Sequence, residues 1–269
     1  MTALQGLAPA KINLTLHVTG QRDDGYHLLD SLVVFADMGD RLTCKLGEDR
    51  LTVDGPMGQG VPLGPDNLVR RAAALMGVEA AIHLEKHLPA AAGIGGGSSD
   101  AACALRMLRE LTGKEVPDQG LGLGADVPVC MIARAAFMRG IGEDVTAVDL
   151  PPLHAVLVNP RVAVPTSAVF SGLASKVNPA MPPLPDGLPA ADLIQWIAAQ
   201  RNDLEPPAIT AQPVISDVLA ALRQTGAQLT RMSGSGATCF GLYPDAKRAA
   251  DAAQSLQHSG WWVAATVLR

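Results

Sequence analysis

The densest concentration of residues suited to chemistry is Leu88-Pro89-Ala90-Ala91-Ala92-Gly93-Ile94-Gly95-Gly96-Gly97-Ser98-Ser99-Asp100. Its glycines lack Cβ atoms and tolerate positive φ, so consecutive amides can turn inward around a ligand. Ala101, Ala102, Cys103, Leu105, Met107, Leu108 and Leu111 continue as a helix of good formers, with Ser98, Ser99 and Asp100 expected at its start. A helix N-terminus adds unpaired N–H groups and partial positive charge, and the combination suits a polyphosphate. No Gly-Lys-Ser/Thr closes the run, and Gly113-Lys114-Glu115 does not supply one, so this is not a Walker A loop. The third glycine of a dinucleotide fingerprint would fall at Ser98, so that motif fails too. A serine-capped turn would need fewer glycines, which leaves anion binding as the stronger reading.

Two other stretches carry charge in suggestive settings. Lys11, Asn13, Thr15 and His17 alternate with Ile12, Leu14, Leu16 and Val18, the pattern of a half-buried strand with Lys11 and Asn13 on its polar side. Asp126 lies in Gly124-Ala125-Asp126-Val127-Pro128, a loop expected to enter apolar structure. Each has an ordinary reading when taken alone: an exposed strand lysine, and an aspartate in a glycine-rich turn.

The elements that must position these residues are legible in outline. Ile82 and Leu84 mark a strand before the glycine run. Residues 29–36 and 41–46 read as two strands joined by Asp37-Met38-Gly39-Asp40, with a short strand near 51–53. Asp66-Asn67 opens a helix through Met76 that Gly77 ends. The loop helix stops at Thr112-Gly113, and Lys114 to Leu123, with Pro117, is too short for another regular helix. Residues 133–139 and 144–149 are strand-like, and Pro151-Pro152 is the best boundary. Beyond it come a strand at 154–158, a short helix at 167–173, a proline-rich loop at 177–189, and helices near 191–200 and 213–224. Strands at 227–231, 238–243 and 261–267 then surround a helix at 245–258. Without regular βαβ alternation, this predicts two α+β domains rather than a doubly wound sheet.

Composition narrows the class. Hydrophobic content of 48% supports a sizeable core, built mainly from Ala, Leu and Val because aromatics are only 3%. A net charge of −5 without a basic run argues against nucleic acid, and obliges any polyphosphate site to supply positive potential locally. Cys44, Cys103, Cys130 and Cys239 form no CxxC pair and read as reduced, mostly buried thiols. Without a membrane-length apolar run or signal-peptide pattern, the expectation is a cytoplasmic protein with no membrane partner. Trp196, Trp261 and Trp262 are assigned to packing.

Four stretches in order carry a resemblance. They are Ala8-Pro9-Ala10-Lys11-Ile12-Asn13-Leu14 with Gly25-Tyr26-His27; Pro89 to Ser99; Gly124-Ala125-Asp126-Val127-Pro128; and Ser233-Gly234-Ser235-Gly236-Ala237-Thr238. Asn202-Asp203-Leu204-Glu205 is a weaker fifth. On these the chain resembles the GHMP small-molecule kinases. The first and third stretches resemble the branch acting on a cytidine-diphosphate-linked methylerythritol in the non-mevalonate isoprenoid route. The resemblance implies an α+β two-domain fold, with a ribosomal-protein-S5-like ATP-binding domain over 1–150 and a ferredoxin-like domain over 151–269. It implies transfer of the ATP γ-phosphoryl to the acceptor's 2-hydroxyl with Mg2+, the acceptor lying in an interdomain cleft.

Lys11 and Asp126 are then implied as the catalytic pair, Asp126 accepting the hydroxyl proton. Pro89, Ala90, Ala91, Ala92, Gly93, Ile94, Gly95, Gly96, Gly97, Ser98 and Ser99 surround the phosphates, with Ser98 or Ser99 reaching the magnesium or a β-phosphate oxygen. Asn67 and Leu68 border the adenine. Asn13, Tyr26, His27 and Phe170 are implied for the acceptor, although on pattern alone Phe170 reads as core, and a tight hairpin explains Gly234 to Gly236 nearly as well as substrate approach. No protein metal ligands are assigned, and a monomer or weak homodimer is expected. Competing readings are a mevalonate-type or homoserine kinase, and a nucleotide-binding regulator without catalysis. Asp126 argues against homoserine kinase and Tyr26-His27 against the mevalonate type, while the Lys11–Asp126 pair would be unexplained in a regulator.

Overall fold

The computed structural model describes residues 3–90, 92–257 and 260–269. The chain forms two compact units that interleave along the sequence. Unit 1 comprises Met1–Lys11, Met38–Ala90 and Gly95–Ala133; unit 2 comprises Ile12–Asp37, Ala91–Ile94 and Arg134–Arg269. Compactness thus partitions the chain differently from a single division at residue 150.

In unit 1, the second half of β3 (His27–Leu46) pairs antiparallel with β5 (Ala80–Glu85), Arg41 opposite Glu85 and Leu46 opposite Ala80. β4 (Arg50–Asp54) runs parallel to β5. Along β5, Ala80, Ile82 and Leu84 are buried and their neighbours half-buried, the alternation of a strand with one covered face. Helices α1 (Leu68–Leu75), α2 (Gly96–Thr112) and α3 (Val127–Ile132) complete the unit, with α2 packed on the other two. Ala101, Ala102, Cys103, Ala104 and Leu105 are all buried, so α2 is enclosed on several sides, which small side chains permit.

The two strands expected at 29–36 and 41–46 are one 20-residue strand, β3. Asp37-Met38-Gly39-Asp40 has the letters of a turn, but its polar groups have tertiary partners. Asp40 is fully buried and accepts from the His87 and Leu88 amides at 2.6 and 2.8 Å. Gly39 is needed for close approach rather than for turning, because a Cβ there would lie 2.1 Å from the Ala8 carbonyl oxygen of β1 (Leu4–Asn13).

Unit 2 pairs the first half of β3 with β2 (His17–Gln21) and with β6 (Ala136–Gly140), beyond which lies β7 (Asp144–Ala147). Its other strands are β8 (Leu153–Asn159), β9 (Leu229–Met232), β10 (Cys239–Tyr243) and β11 (Trp262–Leu268), in the order β11-β8-β10-β9 and antiparallel throughout. Helices α7 (Val214–Gln224) and α8 (Ala246–Leu256) pack on them. The succession β8–α7–β9–β10–α8–β11 is that of a ferredoxin-like domain, elaborated by α4 (Thr166–Ser171), α5 (Ala190–Ala198) and α6 (Glu205–Ala211). Pro206 and Pro207 conceal α6 in the sequence, but both sit in its first turn, where the missing N–H costs no helical bond. The helix expected over 245–258 ends at Leu256; His258 lies outside the described residues.

Candidate active site

The unit 1 site begins with Lys11, near the end of β1. It is not on a solvent-facing strand edge: Lys11 is 3% exposed, and Asn13, Thr15 and His17 are buried as well. The alternation therefore separates an apolar face from a covered polar face, and the half-buried expectation is corrected. Burial obliges each polar group to find a partner. Lys11 Nζ finds Asp126 Oδ1 at 2.7 Å. Asp126 stands just before α3, whose start Pro128 favours, and makes no capping bond with its side chain. With 32% of that side chain exposed, one oxygen is tied to Lys11 while the carboxylate remains open to a ligand.

The expected loop into apolar structure is thus the helix α3. It is approached through a 3-10 segment, Pro117–Leu123, in which Asp118, Gln119 and Gly120 have positive φ.

The glycine run resolves into parts with different jobs. Helix α2 begins at Gly96, earlier than expected, with Gly95 as its N-cap at φ 61. Gly95 is favoured because that φ is left-handed, and a Cβ there would stand tightly, 3.2 Å from Lys11 Cβ. The amides of Gly96, Gly97 and Ser98 precede the first helical bond, from Ser99 N to Gly95 O, and so form the donor set of a helix N-terminus. Ser99 donates its hydroxyl to Pro9 O at 2.7 Å and is buried, whereas the Ser98 hydroxyl makes no hydrogen bond among the described residues and lies near Gly124. Of the two serines proposed to meet a phosphate or metal, only Ser98 is free to do so.

Pro89 and Ala90 precede these groups on the unit 1 side, Ala90 exposed. Ala91 lies outside the described residues. Asn67 caps α1, accepting from Val69 N at 2.9 Å and donating to Pro62 O at 2.7 Å, so its side chain is committed to structure. Leu68 reaches towards α2, one methyl carbon 3.5 Å from where a Gly97 Cβ would stand.

Residues 92–94 belong to unit 2. Ala92 and Ile94 are buried, and Ala92 O accepts from Thr238 N. Gly93 has φ 71, and a Cβ on it would lie 2.6 Å from Ser233 O. Part of the run is therefore packed, and the amides left without an internal acceptor among the described residues include those of Gly96, Gly97 and Ser98. Ser233 donates to Gly93 O and accepts from Asn13 N, both at 3.0 Å. Asn13 Nδ2 donates to Ser31 Oγ, and its Oδ1 is buried without a donor among the described residues. A Cβ on Gly234 would lie 3.4 Å from that oxygen.

Also in unit 2, Phe170 on α4 stacks on His27 with ring centroids 4.7 Å apart and 30° between planes. Phe170 is half-buried against the unit 2 core, as its apolar pattern alone expects. His27 Nε2 is buried without a partner among the described residues, and desolvation, then the charge of Lys176, lowers the imidazole's pKa. A neutral imidazole keeps one ring nitrogen as acceptor and one as donor. Tyr26, 59% exposed, presents a ring that the fold does not need for packing.

Comparison with known proteins decides the relationship. The family model described as GHMP kinases N terminal domain matches residues 67–136, and GHMP kinases C terminal matches residues 185–260. A 4-diphosphocytidyl-2-C-methyl-D-erythritol kinase of Dinoroseobacter shibae is 61% identical, over 99% of this chain and 95% of that relative. The chain belongs to the GHMP kinase family. A second relative of the same description, from Ruegeria pomeroyi, is 56% identical over 97% of this chain and 98% of its own. Among solved structures, a 4-(cytidine 5'-diphospho)-2C-methyl-D-erythritol kinase superposes with a TM-score of 0.82 at 35% identity, covering 98% of this chain and 99% of that one. As a GHMP kinase the chain has the two-domain α+β fold of the family, a small-molecule acceptor, and ATP as phosphoryl donor. The matched segments fall on either side of residue 150.

Among the buried charged residues that the sequence analysis did not foresee, Asp40, Lys86 and Asp100 lie together. Asp40 was hidden in an apparent turn and Asp100 in an apparent cap. The available signal was the position of Asp100 beside Ala101, Ala102 and Cys103, in the most apolar turn of α2.

Proposed function

We propose that this GHMP kinase transfers the γ-phosphoryl of ATP to the 2-hydroxyl of 4-diphosphocytidyl-2-C-methyl-D-erythritol, the kinase step of the non-mevalonate isoprenoid pathway. The observation that carries the chemistry is the Lys11–Asp126 pair, 2.7 Å apart in the unit whose α2 N-terminus offers free amides. Phosphoryl transfer requires positioning, neutralisation of phosphate charge and a destination for the hydroxyl proton. The Gly96, Gly97 and Ser98 amides and the α2 dipole serve the phosphates. Asp126, through its open oxygen, takes the proton of the acceptor hydroxyl. Lys11 holds that carboxylate in place and stabilises negative charge developing on the attacking oxygen.

The family's Mg2+ would supply neutralisation of phosphate charge. The unengaged Ser98 hydroxyl fits a role beside it, and among the described residues no cluster of His, Cys, Asp and Glu forms a separate metal site. For the acceptor, Tyr26 and the Phe170–His27 stack offer flat surfaces to cytosine, and His27 Nε2 and Asn13 Oδ1 offer polar atoms without internal partners. The identity of the close relatives favours this acceptor over mevalonate or homoserine. We assign residues 1–150 to an N-terminal ATP-binding domain and 151–269 to a C-terminal domain, in a cytoplasmic monomer or weak homodimer. No helix among the described residues is long and apolar enough to cross a membrane.

The test is to incubate the protein with ATP, magnesium and each of the three acceptors, and to seek the added phosphoryl group by mass spectrometry. Phosphorylation of the cytidine compound alone is expected. Phosphorylation of mevalonate or homoserine in its place would overturn the assignment.

A further inference from the structure

Unit 1 buries a three-residue ion cluster that the proposed chemistry does not use. Lys86, just past β5, donates through Nζ to Asp40 Oδ2 of β3 and to Asp100 Oδ2 of α2, the latter at 2.7 Å. Asp40 is 0%, Asp100 3% and Lys86 4% exposed. Asp40 uses its second oxygen to accept from the amides of His87 and Leu88, the residues that lead into the glycine run. Lys86 Nζ also lies 3.4 Å from where a Gly96 Cβ would stand, against the first residue of α2. A continuous set of charged hydrogen bonds therefore runs from β3 through residues 86–88 to the first turns of α2.

Stability alone is a poor reason for such a cluster. Burying three charges incurs several desolvation penalties, and apolar residues of similar volume often serve a core as well or better. What a directional ionic tether provides is position. Its far end is Asp100, two residues past Ser98, the last of the three residues whose free amides form the cradle.

We propose that Lys86, bridging Asp40 and Asp100, is the positioning residue of the phosphate cradle, fixing the α2 N-terminus at the height and angle that ATP requires. This rests on the reading of that N-terminus as the phosphate site. Lys86 itself acts through α2 and touches no reacting atom. Lys86 stays a donor in this cluster: burial disfavours its ammonium, but Asp100 and Asp40 outweigh it and raise its pKa.

The test cuts the tether at its helix end. Asp100→Ala leaves Lys86 paired with Asp40 and places the best helix former in α2. The expected result is an ATP KM raised about tenfold or more, within the ~10²-fold that a small misplacement costs. The acceptor KM stays within about twofold, since the acceptor is not held by α2. Asp100→Asn, which keeps an acceptor for Lys86, restores the ATP KM to within about threefold of wild type, as a lost charge with a kept hydrogen bond implies. If Asp100→Ala does not fold, Asp100→Leu fills the space without accepting a bond and carries the same expectation. A folded Ala or Leu variant with lowered Tm and unchanged ATP KM overturns the proposal and leaves the cluster a structural one. Nitrogen-15 spectra of the wild type with MgATP separate this from failure of the underlying reading. Shifts of the Gly96, Gly97 and Ser98 amides support the cradle, and their absence overturns cradle and tether together.

Discussion

At the scale of single residues, the decisive distinction is between polar groups that have partners and those that do not. Asn67 and Ser99 were both reasonable ligand contacts by type, yet their side chains are engaged by α1 and by Pro9 O. Asp126 is held by Lys11 and still open, the arrangement a proton acceptor needs. Asp126→Asn is expected to lower kcat by roughly 10²–10⁴-fold, the range for loss of a general base. Steady-state kinetics showing only a few-fold loss would remove it from that role. Tyr26 is exposed enough that its loss should not touch the core. Tyr26→Ala is therefore expected to raise the acceptor KM while the ATP KM and Tm hold; an equal rise in both KM values would contradict a specific contact.

Asp100 provides a pH signature at the same scale. Burial above all, with Asp40 adding to it and Lys86 opposing, raises its pKa from 3.8 to about 7. A carboxyl with a raised folded-state pKa contributes stability that is complete below its unfolded value and is lost as pH climbs through the folded one. Wild type should therefore lose stability relative to Asp100→Asn between about pH 4 and pH 7, and the difference should level off above that. Tm measured for both proteins across this range checks it, and a constant difference would show that Asp100 does not titrate there. His17, whose pKa burial and then Arg201 lower, acts in the opposite sense, but it is common to both proteins and cancels in the difference.

At the scale of elements, local pattern placed most helices and strands within a few residues, because hydrophobic periodicity reports which face is covered. It failed where a residue's job is set by a distant neighbour. Met38-Gly39-Asp40 is mid-strand because the Ala8 carbonyl occupies the space beside Gly39 and because residues 86–88 satisfy Asp40. Gly39→Ala should therefore destabilise the protein by about 1–3 kcal/mol or more through overpacking, read from denaturant melts. A turn glycine with open space around it would tolerate the same change, so a neutral result would contradict the strand. The α2 start moved similarly: sequence favours serine as a cap, but the N-cap is Gly95, which takes a left-handed geometry close beside Lys11.

At the scale of the whole molecule, the thiols give a reading independent of the active site. Cys44, Cys103, Cys130 and Cys239 are all free and buried. Burial raises the first three to about 11, about 11 and about 12, and Cys239 well above its usual value. Both accessibility and thiolate fraction are thus low in each unit. The native protein should react negligibly with an aromatic disulfide reagent, and the unfolded protein should titrate all four thiols. Prompt labelling of any one in the native state would contradict its burial. Reductant should leave Tm unchanged, since no disulfide links these cysteines.

The sequence by itself determined the family and the fold class, because glycine runs, caps and apolar periodicity are local signals that one chain carries in full. The four motifs were legible for the same reason, each being a contiguous stretch, although only their order together, and not the letters of each alone, carried the resemblance. Tertiary structure alone decided which polar groups are engaged and which are left for a ligand. Lys11 and Asp126 are 115 positions apart, and Asp40 and Lys86 are 46 apart. No periodicity spans such separations; the pairs exist because burial forces charged groups on different elements to satisfy one another. The same physics split the glycine run into a packed part at 92–94 and an open N-terminus at 95–98, a division invisible in a row of small residues.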